Sequence, residues 1–203
     1  MMSEIKKFEE KKINTLEEKA KWTKGSLVLI WGSSMAGKTT LALNLSRFFE
    51  KPLYIKIDKN VPDEQIKGIN TGIEIKEAST YSETREIIKS IGKAFDLIIV
   101  DSLTGLNEEL YQQYRPPRVF NEIAINQNII MYELNKLKPF VTSFVVTHAR
   151  IADFETRRLE PNINNRVLKF VDKMMYVYRD EKNKIHVRTF ERKLIKTDEF
   201  IFE

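Results

Sequence analysis

No cysteine occurs among the 203 residues, which excludes disulfides and thiolate metal sites, and two histidines are too few for a histidine-rich metal centre. Long apolar runs are missing too. The longest, LVLIW at 27–31, LIIV at 97–100 and SFVV at 143–146, fall far short of a bilayer span, so no membrane partner is expected. The N-terminus is charged from Glu4 onward and has no apolar signal core, which points to a cytoplasmic protein. There is no Gly/Ser-rich or Pro-rich linker and no repeat of solenoid length. The formal charge of +5 permits an anionic partner without requiring one.

What is present suits one domain of ordinary size with a single sizeable core. Residues 1–24 are rich in Lys and Glu with sparse apolar positions (Ile5, Phe8, Ile13, Leu16, Trp22) and read as a charged N-terminal segment, an arm or short helix leading into a core at 25–203. From Gly25 onward, short apolar runs alternate with helical patterns. SLVLIW (26–31), PLYIKID (52–58), IEIKEA (73–78), DLIIVD (96–101) and SFVVTH (143–148) read as strands. Helices are expected after the first strand, after Pro62, in ETREIIKSIGKAF behind an N-cap at Ser82, and from Val119 to Leu137. KMMYVYRD and KIHVRTFER, joined by EKN, read as a closing hairpin. Strands alternating with crossover helices predict an α/β fold, a mainly parallel, doubly wound sheet with an antiparallel end.

WGSSMAGKTT at 31–40 carries the chemistry. Gly32, Gly37, Lys38 and Thr39 satisfy the Walker A spacing G-x-x-x-x-G-K-[ST], and the stretch lies between a strand and a helix, as a P-loop requires. The N–H groups of Ser33, Ser34, Met35, Ala36, Gly37, Lys38, Thr39 and Thr40 would face phosphate oxygens at the positive end of the following helix. Lys38 would reach the β- and γ-phosphates, and the Thr39 hydroxyl would ligate Mg²⁺. Asp101, closing LIIVD, is placed and chemically suited to be the metal's carboxylate partner. ATP and Mg²⁺ are therefore the expected cofactors.

Aromatics interleaved with cations mark two further segments, both following core strands, where ligands of open α/β sheets gather. NEELYQQYRPPR carries Tyr111, Tyr114, Arg115 and Arg118; ARIADFETRRLEPNINNR carries Arg150, Phe154, Arg157, Arg158 and Arg166. This is the composition used to bind single-stranded DNA. Glu108, Glu109, Asp153, Glu155 and Glu160 reduce the local surplus of charge.

YIKID after the P-loop helix, DSLTGL, VVTHAR after the long helix, RLEPNINNRVLKFVDKMMYVYRD and the closing FERKLIKTDEFIFE together resemble the RecA/RadA recombinase superfamily, nearest its small archaeal RadB group, over about residues 22–203. The resemblance implies a RecA-like ATPase core that acts in homologous recombination or DNA repair, with single-stranded DNA as partner. In that family a glutamate two residues after the second strand's aspartate activates the attacking water, and here Asn60 falls at that position. An amide orients a water but cannot take its proton, so slow or absent turnover is expected unless Asp58, Asp63 or Glu64 substitutes. His148, or equally Thr147, matches the family's γ-phosphate sensor, and the two Arg/Tyr segments match its DNA loops. Phe8 in FEEK lacks the small residue that the family's assembly motif carries three positions later. A monomer, self-association and pairing with a RadA-type recombinase are all compatible. A signalling ATPase of the KaiC kind, a phage- or plasmid-type single-strand annealing ATPase, and an assembly subunit that uses ATP only as a structural ligand stay open as alternatives.

Overall fold

A computed structural model describes residues 15–57, 61–153, 155–191 and 195–202. Helix α1 (residues 15–23) leads into β1 (Leu27–Gly32), α2 (Lys38–Ser46), β2 (Pro52–Lys56), α3 (Asp63–Ile69), β3 (Glu74–Glu77) and α4 (Tyr81–Ile91). Then come β4 (Leu97–Asp101), α5 (Asn107–Gln113), α6 (Arg118–Lys136), β5 (Thr142–Asp153) and β6 (Arg158–Pro161). A 3-10 turn at Asn165–Phe170 precedes β7 (Lys173–Arg179), β8 (Ile185–Glu191) and β9 (Ile195–Phe202).

The spatial order is β3-β2-β4-β5-β1-β7-β8-β9. Along this order the strands from β3 to β7 run parallel, β8 and β9 return antiparallel, and β6, off this path, pairs antiparallel with the outer part of β5. This is the mixed α/β architecture expected from the alternation of runs. Strands β1, β2 and β4 are buried along their whole length, because helices cover both faces. On one face, Leu27, Leu29, Ile98, Val100 and Val145 pack against Ile88 of α4 and Ile130, Met131 and Leu134 of α6. On the other, Val28, Ile30, Ile99, Phe144 and Val146 meet Leu41 and Leu45 of α2 and Ile66 of α3. Each such side chain contributes roughly 1.5–3 kcal/mol by leaving water.

Helix α1 belongs to this second layer. Leu16 and Ala20 are buried in it, while Trp22 Nε1 donates to Glu191 at 3.1 Å and Lys19 pairs with Asp198 at 2.5 Å. The segment thus docks on β8 and β9 through Trp22 and Lys19. Phe8 lies outside the described residues.

Three details depart from the sequence expectation. Helix α4 starts two residues early: its N-cap is Thr80, not Ser82, because the Thr80 hydroxyl accepts from Glu83 N at 3.0 Å while the Glu83 carboxylate takes Ser79 N at 2.7 Å. A short helix, α5, interrupts the segment after β4. Strand β5 runs five residues past His148, since its outer part is paired antiparallel with β6, Arg150 opposite Glu160.

Candidate functional site

The site is built where β1 stops. A Cβ on Gly32 would lie 2.0 Å from the carbonyl oxygen of Val177 in β7, so only glycine lets the two backbones approach there. At Gly37 the backbone is left-handed (φ 99°), which turns the chain into α2. Met35 also has positive φ (59°) and stands 88% exposed on the crest of the loop. Helix α2 begins at Lys38 with neither a side-chain cap nor an acidic residue of its own in the first turn, so its N-terminal amides and dipole face the loop's concavity.

Lys38 is buried and its Nζ donates to Ser33 O at 2.6 Å, lying across the mouth of the loop. Burial lowers its pKa, and the negative charge of Asp101 opposes that shift. Asp101, at the end of β4 and 3% exposed, has Oδ2 accepting from Thr39 Oγ1 at 2.6 Å and from Tyr54 OH at 2.8 Å. The first turn of α2 and the tip of β4 therefore share one carboxylate. Among the described residues no three His, Cys, Asp or Glu side chains gather as a protein-only metal cage. A magnesium ion carried by phosphates needs less, because it keeps several waters and takes only one or two protein ligands. The Thr39 hydroxyl and the Asp101 carboxylate are such a pair, beside a loop shaped for an anion.

A family model described as AAA domain matches residues 24–116, from the approach to β1 through the P-loop and Asp101 to the end of α5. The chain carries a P-loop ATPase-type domain. No curated protein matches it. The P-loop domain's remaining candidate residues divide by position. Strand β5 lies between β1 and β4, so its inner end stands between the P-loop and Asp101. Thr147 there is fully buried and donates to Asn162 O at 3.2 Å, which ties it to the chain leaving β6. His148 is partly exposed and lines a cavity of about 640 Å³ with Ser102, Thr104 and Glu109. Between the two, His148 is the one facing open space. Asp58 and Asn60 lie outside the described residues. Asp63 is occupied: it accepts from Lys56 Nζ at 2.6 Å, and Glu77 lies 3.2 Å from the same ammonium. Glu64 sits exposed in the first turn of α3.

The aromatic and cationic residues after β4 and β5 are partly brought together. Tyr111 of α5 and Arg150 of β5 line one cavity of about 190 Å³ with Phe120, Asn162 and Asn164. Tyr111 and Phe120 are more than half exposed. Arg118 instead stacks over Tyr114, 4.7 Å from the ring centre, and Arg150 holds Glu160 at 2.6 Å. Arg115, Arg157, Arg158 and Arg166 are exposed and make no ion pair among the described residues; Arg157 stands at the β5–β6 turn with φ 52°. Phe154 lies outside the described residues.

Two features went unseen in the sequence. Tyr54, midway along β2, has no motif to announce it; only the parallel register of β2 and β4, Lys56 opposite Asp101, brings its hydroxyl to that carboxylate. The β7–β8 hairpin also lies against the P-loop, with Arg179 Nε donating to Met35 O at 3.0 Å.

Proposed function

We propose that this chain is a magnesium-dependent, RecA-like ATPase core that works on single-stranded DNA in recombination or repair, alone or with a RadA-type recombinase. The observation that carries the reading is the placement of β5 between the P-loop strand and the Asp101 strand, with Thr39 and Asp101 joined at 2.6 Å across the gap. That order sets one strand beside the phosphate cradle, His148 in register with Gly32, and beside the Tyr111–Arg150 cavity farther out.

The chain's own groups have distinct tasks in this reading. Loop amides and the α2 terminus hold the polyphosphate. Lys38 exchanges Ser33 O for phosphate oxygens, a swap favoured because the buried ammonium then meets full negative charge. Thr39 and Asp101 would hold Mg²⁺, which would offset the negative charge of the polyphosphate. Asn60, standing where the family resemblance calls for a glutamate, can orient water but cannot accept its proton, so turnover is slow. His148, in register with Gly32 where β5 leaves the core, would sense the terminal phosphate. Tyr111 and Arg150, with Arg115, Arg157, Arg158 and Arg166 nearby in sequence, provide stacking faces and cations for a single strand.

An ATPase assay with and without single-stranded DNA, run on the natural chain, Lys38→Ala and Asn60→Glu, tests this. The natural chain should turn over well below about 1 per second, and DNA should alter the rate. Lys38→Ala should lose nucleotide binding, and Asn60→Glu should hydrolyse faster. Calorimetry that detects no magnesium-dependent binding of any nucleoside triphosphate would end the proposal.

A further inference from the structure

The P-loop is flanked on its far side, away from Asp101, by a second cavity of about 550 Å³, lined by Ser33, Ser34, Met35 and Ala36 of the loop and by Tyr176, Tyr178, Arg179 and Asn183 of the β7–β8 hairpin. We propose that this cleft receives the base and ribose of the bound nucleotide, so that the hairpin sets which nucleotide the domain accepts. The inference rests on the P-loop holding a nucleoside triphosphate.

Direction follows from the sheet order. Asp101 on β4 and His148 on β5 lie to one side of β1, whereas β7 and β8 lie to the other. A triphosphate laid along the loop with its terminal, metal-bearing end toward β4 and β5 must send its nucleoside the opposite way, over β7 and β8. The cleft is there, with the volume of a small-molecule site.

The hairpin is built to stay in place. Asp180 accepts from Lys182 N at 2.9 Å and Lys184 N at 2.8 Å, closing the turn, and its other oxygen lies 3.0 Å from His186 Nε2. Arg179 donates to Met35 O at 3.0 Å and to Asn183 O and Oδ1 at 2.9 and 3.1 Å, which ties turn and loop together. Trp31, Tyr176, Tyr178 and His186 stack in series with centroids 4.4, 5.3 and 5.0 Å apart. Tyr178 is fixed further, its hydroxyl donating to Glu199 at 2.5 Å and accepting from Arg188 Nη2 at 3.1 Å. The cleft is therefore lined on the hairpin side by two rings, Tyr176 and Tyr178, that are held within this stack. It also has the Arg179 guanidinium, a planar cation on which a base can stack. Asn183 Nδ2 and Arg179 Nη2, unengaged among the described residues, are donors suited to the acceptor nitrogens or carbonyls of a base edge.

Photo-crosslinking with 8-azido-ATP and Mg²⁺, mapped by mass spectrometry, gives the first readout. Label should fall within residues 174–188; label confined to other segments overturns the proposal. The second readout is calorimetric, comparing MgATP with inorganic tripolyphosphate for the natural chain, Asn183→Gly and Arg179→Lys. Glycine keeps the positive φ of residue 183 (63°) and removes only the amide. Both variants should bind ATP about tenfold more weakly, as loss of a base contact worth 1–3 kcal/mol requires, and tripolyphosphate as the natural chain does. Equal weakening for the two ligands would reduce the hairpin to a brace for the loop and refute the base site, and unchanged ATP binding would refute it too. A natural chain that binds neither ligand would instead remove the nucleotide reading beneath it.

Discussion

Replacing Gly32 by Ala places a methyl group 2.0 Å from the carbonyl oxygen of Val177. A carbon and a carbonyl oxygen settle no closer than about 3.3 Å, so β1 and β7 would have to part by about 1.3 Å at the point where Gly32 is registered against Val177. The obstacle is backbone inside a ladder and cannot rotate away. Overpacking of this kind costs about 1–3 kcal/mol, and one or two weakened ladder hydrogen bonds add about 1 kcal/mol each. A total near 3–4 kcal/mol lowers the folded-to-unfolded ratio by more than a hundredfold, and with a urea slope of about 2–3 kcal/mol/M the midpoint should fall by about 1–2 M. Gly68→Ala is the internal comparison: inside α3, with no atom within 4 Å of its new methyl, it should raise stability by about 0.5–1 kcal/mol. Urea titrations followed by circular dichroism on both variants read the difference. Gly32→Ala unfolding within about 0.5 kcal/mol of the natural chain would refute the close-approach argument.

Tyr54→Phe deletes one donor to the buried Asp101 carboxylate and should cost about 1.5–3 kcal/mol, seen calorimetrically as a melting temperature several degrees lower; no change would mean that the carboxylate does not need that bond. Tyr111→Ala and Arg150→Ala should each weaken single-stranded DNA binding about tenfold, and only Arg150→Ala should flatten the salt dependence measured by fluorescence anisotropy. Identical salt slopes would remove Arg150 from the phosphate contacts. Alkaline pH should destabilise the fold. Burial raises the pKa of Tyr81 and Tyr176 above the ordinary value of 10.0, so their folded states hold protons that the unfolded chain gives up. The stability they confer is complete below pH 10 and declines above it. Tyrosinate absorbance and circular dichroism should then change together, and early, separate ionisation of all seven tyrosines would contradict it.

The P-loop and Asp101 were legible because their signals are local: a fixed spacing of Gly, Lys and Thr, and an acid ending a wholly apolar run. The strands buried on both faces announced themselves for the same reason. The cap of α4 was legible too, since Thr80 and Glu83 make the T-x-x-E pattern, although Ser82 drew attention as a cap residue closer to the apolar stripe. What stayed hidden depends on contacts distant in sequence. Nothing near Tyr54 tells of Asp101, and nothing near Met35 tells of Arg179, 144 positions away. The alternation of Tyr176 and Tyr178 does mark one face of a strand, and it is the single clue in the sequence to the stacked wall beside the P-loop. The outer half of β5 was missed because RIAD reads as polar loop; pairing with β6, and not its own composition, makes it a strand.

Strand β5 is one piece of backbone from the core to solvent. At about 3.3 Å per residue, the stretch from His148 to the register shift near Asp153 projects some 15 Å beyond the sheet's inner layer. A tilt of about 10° at its root would carry the tip through nearly 3 Å by plain leverage on that length. Any tilt at His148 would therefore reach the far end of the hairpin, magnified, along one continuous strand.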